Sequence, residues 1–260
     1  MKRWIIVATV VWGLVIVGLG YYSLRHDRPT AREQTTIGSA LPYVDAALAD
    51  VASTLDANTT VAVLGGYAQV GHGCTITVAR EGIRYERTLT VYTKEGAEPA
   101  LLDRVRRGLP ERYKAGLARN ILDADAGNFV SVRGGVTAPG QVRVSADTGC
   151  RTQAGQVTES EPASATANRA PAQAVLDSLN LKAETWQTHR VVCPSGGTLW
   201  TVQAGTAKGT APPKLPDSLR PTSGVVLSKP DLLAFRSGPA GVAVQTSDGT
   251  LTVTSTTGCA

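Results

Sequence analysis

Few side chains in this sequence are of the types that catalyse reactions or bind metals. The 260-residue chain contains three histidines, His26, His72 and His189, and none has a neighbour at a spacing typical of a metal site or a catalytic pair. The nucleophile turn Gly-x-Ser-x-Gly, the zinc motif His-Glu-x-x-His and the phosphate loop Gly-x-x-x-x-Gly-Lys are absent. We therefore interpret the histidines as surface or strand residues and predict no catalytic residue, cofactor or metal.

One acidic cluster has part of the pattern of a calcium-binding loop. Asp123 and Asp125 precede the pair Gly127-Asn128, but no Glu stands at the closing position of such a loop. We interpret Asp123, Asp125 and Asn128 as turn-forming residues. The sequence also singles out no pair of carboxylates for glycoside hydrolysis, although carboxylates distant in sequence can converge in a fold.

A cluster of basic residues is the strongest candidate for a binding surface. Its members are Arg104, Arg106, Arg107, Arg112 and Lys114. We place them on the second predicted helix, where Asp103 and Glu111 are the only acidic residues among them. Such a surface would suit anionic lipid or an acidic wall polymer. The alternative interpretation is a solvated helix face without a partner.

The net charge of +5 does not indicate nucleic-acid binding. It divides into +3 for residues 1–40, zero for residues 41–170 and +2 for residues 171–260. Most of the excess flanks an apolar segment, whereas nucleic-acid-binding domains concentrate cations and aromatic residues in their folded part. We expect no nucleic-acid partner.

The apolar segment comprises residues 4–22, WIIVATVVWGLVIVGLGYY, with aromatic residues at both ends. A helix of this length spans roughly 28 Å, close to the hydrocarbon thickness of a bilayer, and terminal aromatic rings suit the two interfaces. We predict an uncleaved transmembrane helix inserted in a membrane. The alternative is a cleaved signal peptide, because Gly18 and Gly20 are small residues at a suitable spacing.

The cysteines indicate on which side of the membrane the chain lies. All four follow the apolar segment, without a spacing that suits zinc, and paired cysteines belong to oxidising compartments. We therefore predict a cytoplasmic tail of residues 1–3 and place the bulk of the chain on the extracytoplasmic side of the cell membrane. The Arg-rich, Lys-poor composition is typical of bacteria with GC-rich genomes, so we expect a single-pass protein of a bacterial cell envelope.

The two halves of the remaining chain share landmarks in the same order. The segment VRVSADTGC, which ends at Cys150, aligns without a gap with LTVTSTTGC, which ends at Cys259. Tyr67 and Trp186 each stand seven residues before the earlier cysteine of their half. We interpret these landmarks as a diverged internal duplication. Of the three pairings that four cysteines permit, the duplication favours one disulfide per repeat. The favoured pairs are Cys74–Cys150 and Cys193–Cys259.

Each repeat is predicted to be an α+β domain, an antiparallel sheet with helices on one face. In the first repeat, residues 39–151, apolar periodicity predicts a helix over 41–55 and a second helix that begins at Pro99, with Leu101, Leu102, Val105 and Leu109 facing inward. Its strands are expected at 60–64, 74–78, 87–93, 129–133 and 141–145, the last two joined by a loop.

The second repeat, residues 170–260, is predicted to be leaner. We expect a short helix around 175–179, and a second helix shortened or lost because of Pro212, Pro213 and Pro216. Its strands are expected around 190–193, 199–203, 225–227, 232–235, 241–245 and 251–254. Residues 152–169 are polar and without periodicity, which predicts a flexible linker, and residues 23–38 are expected to form a stalk.

These features favour a binding or scaffolding protein that contacts a partner protein of the envelope. Two small domains on a flexible linker suit two-point binding, and the few aromatic residues favour a protein partner over a small ligand. The alternative is an extracytoplasmic hydrolase with an unrecognised site, so the question of an enzyme stays open with a preference against it. A third hypothesis makes the second repeat a degenerate spacer.

Overall fold

The computed structural model describes residues 2–26, 35–77, 80–152, 157, 168–221 and 224–259. Helix α1 (Lys2–His26) is followed by a mixed α+β part that contains two six-stranded antiparallel sheets. Among the described residues, only the stretch Arg3–Ser23 of α1 is long and apolar enough to cross a membrane. Membrane anchors and signal sequences share this property.

The first unit, residues 35–152, carries two helices on one face of its sheet. Its elements are α2 (Ile37–Ser53), β1 (Val61–Gln69), β2 (Cys74–Thr77), β3 (Arg80–Gly82), β4 (Tyr85–Tyr92), α3 (Glu98–Gly108), a 3-10 turn (Glu111–Tyr113), β5 (Gly116–Ala118), β6 (Ile121–Gly127), β7 (Val130–Ala138) and β8 (Gln141–Asp147). The sheet order is β1-β4-β8-β7-β6-β5, while β2 and β3 form a separate ribbon. Leu64, Leu89, Leu102 and Val144 are fully buried between the sheet and the helices.

Helix α2 begins at a cap that sequence periodicity alone does not reveal. The Thr36 hydroxyl accepts a hydrogen bond from the N–H of Ser39, and the Ser39 hydroxyl accepts one from the N–H of Thr36. This reciprocal arrangement usually uses Glu or Gln at the later position, and Ser takes that place here. The helix therefore starts at Ile37, four residues before the predicted start at Leu41. Residues 27–34 of the predicted stalk lie outside the described residues.

The second unit, residues 168–259, has a leaner set of helices. Its elements are α4 (Ala170–Ser178), β9 (Ala183–Val192), β10 (Thr198–Thr206), α5 (Leu215–Ser218), β11 (Val225–Lys229), β12 (Leu232–Ser237), β13 (Ala240–Ser247) and β14 (Thr250–Thr257). The sheet order is β11-β12-β13-β14-β10-β9. The four-residue α5 confirms the prediction of a shortened second helix. Of the predicted linker, residues 153–156 and 158–167 lie outside the described residues.

Two local predictions for the first unit are wrong. Asp123 and Asp125 lie on strand β6, not in a turn, because the alternating Leu122, Ala124 and Ala126 face the core. Only Asn128 lies in the turn that follows.

The loop predicted between the last two strands is also much shorter than expected, since β7 continues to Ala138. Gly134 suits this crowded strand, because a β-carbon there would lie 3.2 Å from Cβ of Leu122 and 3.3 Å from Cγ2 of Val144.

The two sheets have the same strand order. Read from β1, the first sheet runs β1-β4-β8-β7-β6-β5, and read from β9, the second runs β9-β10-β14-β13-β12-β11. Each starts with the first two main strands and then takes the last four strands in reverse chain order. The order agrees with the predicted duplication, which itself stays a prediction.

The two units pack against each other through the edge strand β1. This strand touches β9, β10, β12, β13 and β14 on the face of the second sheet opposite α4. Val61 and Tyr92 of the first sheet form an apolar cluster with Leu232 and Ala234 of the second. Gly241 allows the close approach, because a β-carbon there would lie 3.2 Å from Cγ1 of Val61.

A hydrogen bond crosses this junction on the side of β1 that has no neighbouring strand. The backbone N–H of Leu64 donates to Oγ1 of Thr201 over 3.2 Å, and both residues are fully buried. The same Oγ1 shares a hydrogen bond of 2.8 Å with Oγ1 of Thr256 on β14. A side chain of the second sheet thus satisfies a donor that an open edge would leave to water.

Replacing Thr201 with Val should destabilise the protein, because it removes the acceptor for the Leu64 N–H at nearly constant volume. An unsatisfied buried donor costs about 1–3 kcal/mol, and we expect a decrease of that size in the free energy of unfolding measured by urea denaturation. The control Thr201→Ser keeps the hydroxyl and should cost only about 0.8 kcal/mol for the lost methyl. Equal losses in both variants would contradict the role of the hydrogen bond.

Candidate functional site

His72 and His189, the two histidines with described side chains, lie in different units. His72 is exposed in the turn before β2, and His189 is buried on β9, where it stands opposite Thr201 of β10. The side chain of His26 lies outside the described residues. Within the described ranges, no group of three His, Cys, Asp or Glu side chains could hold a metal ion.

Both cysteine pairs form disulfides. Cys74 is bonded to Cys150 and Cys193 to Cys259, with Cα–Cα distances of 5.8 and 5.4 Å. This is the pairing that the sequence comparison favoured. The bonds close loops of 76 and 66 residues, which corresponds to about 4 kcal/mol each in the chain-entropy model. Disulfides of this kind suggest an oxidising, extracytoplasmic environment.

The basic cluster is not a single helix face, because α3 ends at Gly108. Leu109 is extended and Pro110 follows, so the predicted second helix cannot continue to Arg112 and Lys114. Arg112 lies in the 3-10 turn, and Lys114 follows it in a left-handed conformation.

Four of the five basic side chains face carboxylates. Arg106 and Arg107 both contact Asp103 at 2.9 Å, and their charges hold the pKa of Asp103 below its ordinary value, chiefly through the hydrogen bond from Arg106. Arg104 lies 3.7 Å from Asp56, and Arg112 lies 3.2 Å from Asp50. These ion pairs favour a solvated surface, and contact with an anionic partner stays a prediction.

The outer face of the first sheet carries a polar cleft with three carboxylates, those of Glu86, Asp125 and Asp147. Glu86 and Asp147 stand directly opposite each other on β4 and β8. Both oxygens of Asp147 are engaged, one by Nε of Arg84 at 3.2 Å and the other by the N–H of Gly149 at 2.7 Å. The Asp147 carboxylate is therefore held by contacts within the fold.

A second cleft, of about 550 Å³, opens at the junction of the units between α2 and β9. Arg87 is buried beneath it and donates to Oδ1 of Asp45 over 2.6 Å, while its guanidinium lies 4.8 Å from the centre of the Tyr67 ring. The Tyr67 hydroxyl also donates to Asp45, and burial followed by the Asp45 charge raises the pKa of Tyr67 above its usual range. These groups satisfy one another, so they stabilise the packing.

A third cleft, which we call the distal cleft, has several exposed apolar side chains on its rim. Ile121, Val136, Pro99 and Pro139 line this open space of about 640 Å³. The side chains of Ile121 and Val136 are 52% and 43% exposed. Exposed apolar residues grouped in one concavity are typical of binding sites.

The distal cleft lies at the end of the first unit that is farthest from the start of α2. The turn between β6 and β7 touches α2 near its start, because Nδ2 of Asn128 donates to the carbonyl of Ser39 over 3.3 Å. Strand β7 runs from this turn to Ala138, and Val136 therefore stands at the opposite end of the sheet.

Both units fix the rim of the distal cleft. Glu98 is buried at the start of α3 and accepts a hydrogen bond from the N–H of Gly140, which holds the pKa of Glu98 below its ordinary value. Lys229 of the second unit donates to the carbonyl of Pro139 over 2.5 Å and pairs with Glu95 at 3.5 Å. Hydrogen bonds from residues of both units, together with one ion pair between them, thus fix the rim.

Sequence reasoning missed Ile121 and Val136 as binding candidates. Both are apolar residues within strands, where an apolar side chain normally indicates the core. The pair Ile121-Leu122 nevertheless carried a signal. Adjacent residues of a strand point to opposite faces of the sheet, so in a sheet with helices on one face only one of the two side chains is expected in the core.

A scan against protein-family models and a search of the curated proteins find no match. The interpretation of its function therefore depends on the geometry alone.

The buried hydroxyl of Tyr113 provides a pH-dependent test of the packing under α2. It donates to Oδ2 of Asp50 over 2.7 Å, and burial followed by this hydrogen bond raises its pKa from 10.0 to about 12. The folded protein therefore keeps the Tyr113 proton at pH values where the unfolded chain releases it.

This contribution to stability is complete below pH 10.0 and is lost as the pH rises toward about 12. Tyr113→Phe should make that part of the profile of unfolding free energy against pH less steep, as measured by urea denaturation, while Tyr67 keeps its own contribution. The exposed Tyr43→Phe is the control and should leave the profile unchanged. A wild-type slope retained in Tyr113→Phe would contradict this assignment.

Proposed function

We propose that the protein is a single-pass, membrane-anchored binding protein of the bacterial envelope, which contacts a partner protein through the distal cleft. In this proposal α1 stays in the membrane, and both units lie on the extracytoplasmic side. The disulfides support that side, since they persist in oxidising compartments. The length and composition of α1 support anchoring.

The position of the distal cleft relative to the anchor is the observation that carries the proposal. The chain enters the first unit at Thr35, beside the start of α2, and the cleft lies at the far end of the same sheet. An anchored first unit therefore presents Ile121 and Val136 away from the bilayer, where a partner protein can reach them.

The chemistry of the cleft favours binding over catalysis. Its exposed side chains are mainly apolar, and Glu98, its buried carboxylate, is engaged by a backbone N–H. Arg119 and Asn120 form the adjacent turn with φ values of 50° and 61°, a left-handed backbone that usually contains Gly. An arginine retained at such a position adds a charged group to the apolar rim, an arrangement typical of protein interfaces.

The two units are further proposed to be copies of one ancestral domain. The shared strand order, the shared Thr-Gly-Cys ending and the equivalent disulfides support this origin. In the folded protein the second unit then stabilises the first, because its sheet covers β1 and its Lys229 donates to the carbonyl of Pro139 at the rim of the distal cleft.

Site-specific photo-crosslinking in the native host tests the proposed function. A photoreactive phenylalanine analogue at Val136 should form an adduct with a defined envelope protein, and Ile121→Asp in the same chain should abolish it by placing a charge in the apolar rim. The matched control carries the analogue at Gln187, an exposed position of β9. Adducts of the same pattern at both positions, or none at Val136, would contradict the proposal.

A further inference from the structure

The turn between β6 and β7 carries an exposed aromatic ring on an unfavourable backbone. Gly127, Asn128 and Phe129 have φ values of 84°, 47° and 56°, and the Phe129 side chain is 51% exposed. Residues with a β-carbon are disfavoured in this left-handed region, and Gly or Asn is the usual choice for the position of Phe129. With half of its side chain exposed at this position, Phe129 offers an apolar ring surface to a partner outside the fold.

A second exposed ring stands beside this turn. The Tyr43 side chain of α2 is 44% exposed, and a β-carbon placed on Gly127 would lie 4.0 Å from its Cε1 atom. Among the aromatic side chains described after α1, Tyr43 and Phe129 are the exposed ones. We call these two residues the aromatic tip.

Buried contacts hold the aromatic tip in place. Arg151, which is 1% exposed, donates from its guanidinium to the carbonyl oxygens of Asn128 and, over 2.5 Å, of Thr148. Asn128 in turn donates to the carbonyl of Ser39 in the first turn of α2. These hydrogen bonds fix the turn to the start of α2, so the conformation of the turn does not depend on burial of the Phe129 ring.

The length of the chain limits how far the start of α2, and with it the aromatic tip, can lie from the end of α1. Nine residue steps separate His26, the last residue of α1, from Thr35, which adjoins α2. At about 3.3–3.6 Å per step these residues span at most about 32 Å. The tip is tied to the same end of the first unit, so an anchored chain holds both rings near the bilayer surface.

We propose that Phe129 and Tyr43 contact the lipid headgroup region of the membrane in which α1 is anchored. This inference rests on the proposed anchoring. Aromatic side chains favour the interface between headgroups and hydrocarbon. The exposed Asp125 beside the turn, whose carboxylate accepts the N–H of Gly127, disfavours attraction by charge. The contact therefore depends on the rings and forms on zwitterionic lipid.

The composition of the chain offers a direct test, because it contains only two phenylalanines, Phe129 and the buried Phe235. The full-length protein is labelled with fluorophenylalanine and reconstituted into phosphatidylcholine nanodiscs, with or without a nitroxide on the lipid headgroup. In fluorine NMR spectra we expect the nitroxide to broaden the Phe129 resonance strongly and to leave the Phe235 resonance at its original width.

Two variants complete the design. Phe129→Gly removes one resonance and so assigns the spectrum, and we expect it to unfold at no lower temperature than the wild type, because Gly tolerates the left-handed backbone. Ile121→Phe adds an exposed reporter at the distal cleft, and its resonance should stay sharp. If it broadened like that of Phe129, the effect would be unspecific and the proposal would fail.

The remaining outcomes also decide the question. A Phe129 resonance that keeps its width, in protein that co-purifies with the nanodiscs, would overturn the lipid contact while leaving the anchor intact. A resonance shielded from a soluble gadolinium chelate but unaffected by labelled lipid would overturn it in favour of contact with a second copy. Failure of the chain to co-purify with nanodiscs would overturn the anchor and this proposal together.

Discussion

The unpaired edge of β1 is the constraint on which the arrangement of the two units depends. An edge strand exposes a row of backbone donors and acceptors, and natural sheets cover or interrupt such rows. Here the face of a second sheet performs this role: β1 lies across it, Val61 packs close to Gly241, and the N–H of Leu64 is satisfied by Thr201. The covering face of the second sheet presents hydroxyl groups among apolar side chains. It can therefore accept hydrogen bonds from the backbone of β1 and also pack against the apolar side chains of β1.

This packing changes how two units of the same strand order can serve binding. Independent domains on a flexible linker would gain from two-point attachment, but these units share a buried junction and have one fixed geometry. The second unit instead contributes side chains that hold the first in shape, as Lys229 does at the rim of the distal cleft. The composition of residues 152–169 predicted a flexible linker between the units, whereas the sheet of the second unit packs directly against the first unit.

Much of the architecture could be predicted from local pattern and spacing. Helical periodicity identified α2 and α3, alternation identified most long strands, and the equivalent Thr-Gly-Cys endings pointed to the disulfides that the structure forms. The misplaced residues have a common cause. Asp123, Asp125 and Gly134 are residue types that are common in turns, but cross-strand pairing and packing against Leu122 place them within strands.

The junction and the exposed residues could not be predicted, because they depend on contacts between distant parts of the chain. Nothing in the sequence around Leu64 or Thr201 indicates that they meet across 137 residues. The left-handed backbone at Arg119 and Phe129 is equally hidden, since neither position holds the Gly that usually marks such a conformation. Both surfaces proposed for binding lie at these positions.

Differential scanning calorimetry of the full-length protein with intact disulfides tests the shared junction most directly. If β1 and the second sheet stabilise each other, the folded part should unfold in a single transition whose calorimetric and van't Hoff enthalpies agree. Two separate transitions, each with its own midpoint, would show that the units fold independently and would contradict this account of the structure.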